Sequence, residues 1–223
     1  PEQNALFDLV TWDFPGAAIE AESFRRIEAE VPPEQRARFS PSEWHIARRL
    51  VHTTADFSIL PHLRFSGDPV EAGRAALRRG ALIYSDSNMI KAGLSVPKLK
   101  RFHPGYTRDS ILCEVASPDV AELAKRENIT RALAAVKLHE HELGGSIFLC
   151  GNAPLALAGM IRMIVEGGPR PALIVGMPVG FVNVLESKEL LKLVDVPYIT
   201  LEGRRGGSPL AVAALHAVME DFL

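Results

Sequence analysis

The sequence is poor in the features that mark several protein classes. It has 2 cysteines, Cys113 and Cys150, both inside apolar runs. Two cannot build a disulfide framework or a cysteine-type zinc site, so they read as buried thiols of a reducing compartment. No apolar run reaches the ~18 residues of a membrane-spanning helix before charge, Gly or Pro interrupts it. Neither sign of charge dominates: 25 Lys and Arg face 27 Asp and Glu, a formal net charge of −2. That balance leaves no electrostatic footprint for nucleic acid or a membrane surface. Pro1–Asp13 carries Glu2, Asp8 and Asp13 and has no basic start, unlike a signal peptide. The expected compartment is the cytoplasm.

Several catalytic signatures are also missing. There is no G-x-x-x-x-G-K-[ST] loop, no G-x-G-x-x-G after a strand and no G-x-S-x-G elbow. A P-loop enzyme, the usual dinucleotide enzyme and the usual serine hydrolase are thereby disfavoured. His139 and His141 flank Glu140, a spacing that turns their side chains apart on a helix, so no metal site is expected there.

What is present is an ordinary globular composition, 47% apolar and 23% charged over 223 residues. That fits one domain, 1–223. Its first part, 1–80, reads as mainly helical. Ala17–Val31 places Ile19, Ser23 and Ile27 on one line. Ser40-Pro41-Ser42-Glu43 has the form of a capping box opening a helix to about His52. Asp68–Arg79 reads as a third helix, closed by Gly80. From 81 onward short apolar runs alternate with helical stretches. The runs are Ala81–Tyr84, Ile111–Val115, Ser146–Leu149, Ala172–Val175 and Tyr198–Leu201. Most lack polar alternation, as strands covered on both faces do. Helices are expected near Ser87–Ala92, Asp119–Lys125, Ile129–Leu143, Leu155–Glu166, Phe181–Leu193 and Pro209–Phe222. Ser95–Asp109 reads as a surface loop. The pattern predicts an α/β fold, a mostly parallel sheet flanked by helices with an N-terminal helical segment.

Ligands of such sheets bind beyond the carboxyl ends of the strands. The segments there are 85–89, Gly151-Asn152-Ala153-Pro154, Gly176-Met177-Pro178-Val179-Gly180 and Gly203-Arg204-Arg205-Gly206-Gly207-Ser208. Glycine-rich turns leading into helices can cradle an anion; they are also the ordinary punctuation of tight βα turns. His52 falls in the last turn of its helix, where the dipole favours imidazolium. A plain capping histidine is the alternative. Arg131 is expected in the first turn of a helix capped by Asn128, against the dipole, and broken local rules are enriched at functional sites. An ordinary surface arginine fits as well. The Ser23 hydroxyl has its own helix as a competing partner.

Taken together, these pieces resemble the precorrin-8X methylmutase (precorrin isomerase) family and its cobalt-precorrin-8 counterpart. The matching pieces are Glu22-Ser23-Phe24, Val51-His52, Gly80-Ala81 with Asp86 and Met89, and Asn128 with Thr130-Arg131. They continue through Gly151-Asn152-Ala153-Pro154, Met177-Pro178-Val179-Gly180-Phe181-Val182 with Glu186-Ser187-Lys188, and Gly203-Arg204 with Gly206-Gly207-Ser208. They run in one order over about nine-tenths of the chain. Leu155 departs from the family's common Thr, and the Lys98–Arg108 stretch is unusually basic.

The resemblance implies an isomerase of cobalamin biosynthesis that moves a methyl group from C-11 to C-12 of a tetrapyrrole, precorrin-8X or cobalt-precorrin-8, with no cofactor. It implies His52 as the proton donor to the ring, with Arg131 and Ser23 at the site and Ser95 as a polar contact. The glycine turns with Arg131, Arg204 and Arg205 are expected to hold the substrate's carboxylates. A homodimer is expected from the resemblance and from the size of the ligand. Two other readings stay open: a corrinoid carrier without chemistry, and an enzyme acting on a phosphorylated metabolite.

Overall fold

The computed structural model of the chain describes residues 6–220. A six-stranded sheet lies at its centre: β1 (Leu63–Ser66), β2 (Ile83–Ser85), β3 (Ile111–Leu112), β4 (Ile147–Cys150), β5 (Leu173–Gly176) and β6 (Tyr198–Leu201). The order is β1-β6-β5-β4-β2-β3. Only β1 is antiparallel to its neighbour; the other pairings are parallel. The α/β architecture read from the sequence is the one the chain adopts. β3 is shorter than expected, at 2 residues. β1 was not expected, because it lies in the stretch read as helical. It is an edge strand with one buried residue, Leu63, and so carries little apolar signal.

Helices α1 (Gly16–Glu30), α2 (Pro33–Arg36) and α3 (Pro41–Thr54) precede the sheet, and α4 (Pro69–Arg78) follows β1. After β2 come α5 (Asn88–Gly93) and α6 (Val96–Lys100), and after β3 come α7 (Pro118–Glu127) and α8 (Arg131–Leu138). Then α9 (Pro154–Val165) follows β4, α10 (Val184–Glu189) follows β5 and α11 (Ser208–Val218) follows β6. The capping box of α3 forms as read: Ser40 Oγ accepts the Glu43 N–H, and Glu43 Oε2 accepts the Ser40 N–H at 2.8 Å.

Five local expectations change. Asn128 does not open α8; it closes α7 in the left-handed conformation, φ 53°, which asparagine tolerates. Thr130 is the cap instead, accepting from the Leu133 N–H. The expected helix 129–143 is reduced to α8 and a 3₁₀ turn, Glu140–Glu142. Phe181–Asn183 form a turn, so α10 starts later than expected. Ser95–Asp109 is not a plain surface loop: it contains α6, buries Leu99 and Tyr106, and anchors the Tyr106 hydroxyl on the Ala81 carbonyl at 2.8 Å. The expected helix to Phe222 ends at Val218, and residues 221 and 222 lie outside those described.

The strands alternate between two cores. Ile147, Leu149, Leu173, Val175, Ile199 and Leu201 face the side covered by α3, α4, α5 and α11. Tyr84, Phe148, Cys150 and Ile174 face the side covered by α8 and α9. Period-two geometry divides each strand in this way, and burial on both faces explains the continuous apolar runs.

α3 lies against α11 with the two helices antiparallel. Arg49 and His45 stand beside Glu220, just past the end of α11, whereas His52 and Thr53 line one hollow with Pro209 at its start. His52 is thereby carried to the carboxyl edge of the sheet. Arg49 anchors this packing. Its guanidinium donates to Glu20 of α1 at 2.9 and 3.1 Å and to Glu220 at 2.6 and 3.2 Å, and Lys98 of α6 reaches Glu220 at 2.8 Å. Burial alone would raise the Glu220 carboxyl, but hydrogen bonds from His45, Lys98 and Arg49 outweigh it and hold the group well below the usual carboxylate range. Burial pulls His216 on α11 the other way for a base, from 6.5 down to about 4.

Both shifts make the unfolded chain bind more protons at low pH. The part due to neutral His216 is complete above pH 6.5 and lost as pH falls to about 4. The part due to ionised Glu220 is complete above its ordinary 4.5 and lost below it. Urea unfolding followed from pH 7 to pH 3 is expected to show stability falling throughout, more steeply below about pH 4.5. A flat profile between pH 6.5 and 4 would contradict the His216 assignment.

Candidate active site

The sheet reverses its order between β2 and β4, and the ends of those strands meet at one buried carboxylate. Asp86, 2% exposed, accepts N–H bonds from Gly151 at 3.0 Å, Asn152 at 2.8 Å and Ala153 at 2.6 Å. The Cys150 thiol donates to it as well, at 3.3 Å. Burial raises the Asp86 carboxyl, while these donors favour its charged form. All its partners are donors, so the ionised form is the one that satisfies them. The start of α9 has no side-chain cap of its own; Asp86 supplies it from another strand. The backbone N–H groups of Gly151 and Asn152, expected to face a ligand, are therefore already spent. The exposed Asn152 side chain is what this turn offers to solvent.

The turns after β5 and β6 are woven into the same edge. The Met177 N–H donates to the Cys150 carbonyl at 2.7 Å, the Gly207 N–H to the Met177 carbonyl at 2.8 Å and the Gly180 N–H to the Arg204 carbonyl at 3.1 Å. Close approach explains two glycines. A Cβ on Gly151 would come within 2.7 Å of Ser208 Cα, and one on Gly206 within 2.3 Å of the Met177 carbonyl. Gly180 and Gly207 instead hold positive φ, 137° and 124°. Ser208 pairs with Ser87 at 2.8 Å between hydroxyls. Lys188 is buried and donates to the carbonyls of Gly203 at 2.8 Å and Arg205 at 2.7 Å, with burial pulling its pKa down to about 8. The Glu-Ser-Lys and Gly-Arg-x-Gly-Gly-Ser blocks are thus two sides of one contact.

The two arginines of this loop differ. Arg205 is tied to Asp56 and to the Ser58 hydroxyl and carbonyl at 2.7–3.0 Å, so it is not the carboxylate ligand the sequence suggested. Arg204 is exposed, its guanidinium carbon 5.3 Å from the centre of the exposed Phe181 ring.

His52 stands half-buried in a hollow of about 540 Å³ walled by Arg49, Thr53, Met89, Pro209, Val212 and His216. On its other side a second hollow, of about 260 Å³, reaches Ser23, Ile27 and Phe57. The Phe24 ring packs edge-on to the imidazole, 5.2 Å between centres, and is itself flanked by Arg48 and Arg49. Ser23 does reach this region, but its hydroxyl donates back to the Ile19 carbonyl at 2.9 Å. Ser95 caps α6, and its N–H donates to His216 Nε2 at 3.1 Å. Arg131 is exposed at the start of α8. α8 runs back to the start of β4, so Arg131 is at the carboxyl edge but across the sheet from His52. The carboxyl edge therefore gathers His52, Arg204, Asn152 and Arg131 without joining them in one contact cluster.

Sequence reasoning passed over Asp86, Lys188 and His216 as individual residues. Asp86 and Lys188 lay inside quoted motifs, but their partners are 65 and 15 positions away. His216 had no local signal. Among the described residues no group of His, Cys, Asp and Glu is arranged to hold a metal ion. No helix among them is long and apolar enough to cross a membrane.

Comparison with known proteins agrees with this architecture. The family model for precorrin-8X methylmutase matches residues 18–221. The cobalt-precorrin-8 methylmutase of Priestia megaterium is 40% identical over 200 residues, covering 90% of this chain and 85% of the relative. The precorrin-8X methylmutase of Pseudomonas aeruginosa is 38% identical over 208 residues, covering 92% and 96%. The solved structure of a precorrin-8x methyl mutase from Thermus thermophilus superposes with a TM-score of 0.81 at 46% identity, covering 92% of this chain and 95% of that one. With sequence, fold and motif order in agreement, the chain belongs to the precorrin-8X methylmutase family and is an isomerase of cobalamin biosynthesis.

Proposed function

We propose that this enzyme moves the methyl group of a precorrin-8-type tetrapyrrole from C-11 to C-12, with His52 as the acid that protonates a ring nitrogen. The observation that carries this reading is the place of His52, half-buried in the wall of the 540 Å³ hollow at the carboxyl edge of the sheet. A proton on the ring draws electron density from it and eases migration. The donor recovers that proton as the rearranged ring relaxes. Metal-free and cobalt-containing substrates both suit this role, since the metal would be cargo of the substrate. The reading sets the enzyme in the cytoplasm.

His52→Ala removes the donor, and His52→Asn keeps much of its shape without the acid. Both are expected to lower turnover by about 10²–10⁴-fold, the usual worth of a positioned acid or base. Corrinoid binding, followed by the visible spectrum, is expected to persist. A folded variant of either kind with near wild-type turnover would remove His52 from the mechanism. Binding by the wild type without any conversion would instead favour the carrier reading.

Arg131 and Arg204 are the exposed cations we assign to the substrate's carboxylates. A charge-assisted hydrogen bond is worth about 1.5–3 kcal/mol, so Arg204→Ala or Arg131→Ala is expected to weaken binding by roughly tenfold or more. Unchanged affinity in both would end the assignment.

The hollow is open and smaller than a tetrapyrrole with its side chains, so we further propose that a second copy covers it. Leu6, Phe7, Leu9, Val10 and Trp12 are 49–80% exposed ahead of α1, and such apolar surface calls for cover. Light scattering is expected to report a dimer at working concentration; a fully active monomer would exclude it.

A further inference from the structure

We infer that His216 is a second substrate contact, a neutral imidazole that presents its Nδ1–H to the hollow it shares with His52 and donates it to a carboxylate oxygen at the tetrapyrrole's rim. The inference rests on that hollow being the substrate site.

The argument starts from the other ring nitrogen. The Ser95 backbone N–H donates to His216 Nε2 at 3.1 Å. A backbone N–H can only donate, so Nε2 must carry a lone pair and the single ring proton must sit on Nδ1. The protein thus sets the tautomer, and with it which nitrogen is a donor. Among the described residues, no group accepts a hydrogen bond from Nδ1, and it is not one of the buried polar atoms left without a partner. It therefore reaches solvent, and we place it in the hollow whose wall His216 forms.

The surroundings keep the ring neutral. Burial lowers its proton affinity, and Lys98 and Arg49 add to that effect, against the opposing pull of Glu220 and Glu20. The nearby cations are already engaged: Arg49 with Glu20 and Glu220, Lys98 with Glu220. The ring is held in place by the start of α6 and by its own helix. The hollow therefore holds two histidines of different character. His52, in the last turn of α3, is the acid of the proposed reaction. His216, locked by a backbone donor, cannot give up its proton as an acid without losing its donor role. It is suited to binding and orientation.

The test uses the whole protein labelled with ¹⁵N at histidine, and a cobalt corrinoid with free side-chain carboxylates as the probe. In the free protein His216 is expected to show a protonated Nδ1 and a bare Nε2. On corrinoid binding the Nδ1 proton is expected to move downfield while Nε2, held by Ser95, stays in place. His216→Gln keeps a donor and an acceptor and is expected to bind within about threefold of wild type, whereas His216→Met, with neither, is expected to bind roughly tenfold or more weakly. A purely structural histidine would leave Nδ1 unmoved on binding. That result, or wild-type affinity in a folded His216→Met, overturns the inference. Should His216→Met not fold, the Nδ1 signal and His216→Gln decide it. Failure of the wild type to bind the probe would overturn the reading of the hollow, and this inference with it. An Nδ1 shift in a protein whose His52 variants stay active would remove only the role of His52.

Discussion

The carboxyl edge depends on one buried charge. Asp86 leaves the end of β2 and takes the N–H groups of Gly151, Asn152 and Ala153 at the end of β4. These two strands flank the point where the sheet order reverses. Without Asp86 three N–H donors at the start of α9 would lose their partner, and the loss at buried Gly151 alone costs about 1–3 kcal/mol. The carboxylate also lies where the dipole of α9 favours a negative charge. The remaining turns hang on this one: Met177 bonds to Cys150, Gly207 to Met177, and Ser208 packs against Gly151. The glycines follow from that stacking, because backbone lies against backbone with no room for a Cβ at Gly151 or Gly206.

A helix N-terminus in such a fold is an obvious seat for an outside anion. Here the protein fills one such seat with its own carboxylate. That shifts the work of holding a carboxylate-rich substrate to side chains. Arg204 and Asn152 are exposed at the edge, while Arg205 and Lys188 are used to shape the loop that carries Arg204. A buried lysine that donates to two carbonyls defines that loop more firmly than backbone bonds alone. A second charge network does the equivalent for the other wall. Arg49 clamps α1 and the end of α11 to α3, one turn before His52, and its guanidinium also lies 4.8 Å from the Phe24 ring that touches the imidazole.

Much of this protein was legible in its residues alone. Strands buried on both faces announce themselves as apolar runs, so β4, β5 and β6 were found within a residue or two. The α3 capping box is a purely local device, and it formed as written. The family was readable from motif order, because those blocks are contiguous. Tertiary structure alone decided the rest, for one physical reason: the partners are distant in sequence. β1 exists because β6 offers it an edge, not because its own pattern demands a strand. Asn128 could have started or ended a helix, and packing of α7 against α8 chose the end. Arg204 and Arg205 are neighbours of identical chemistry; only Asp56 and Ser58, 147–149 positions away, make one a tether and leave the other free to solvent. His216 looked ordinary until the Ser95 N–H, 121 positions upstream, fixed which of its nitrogens carries the proton.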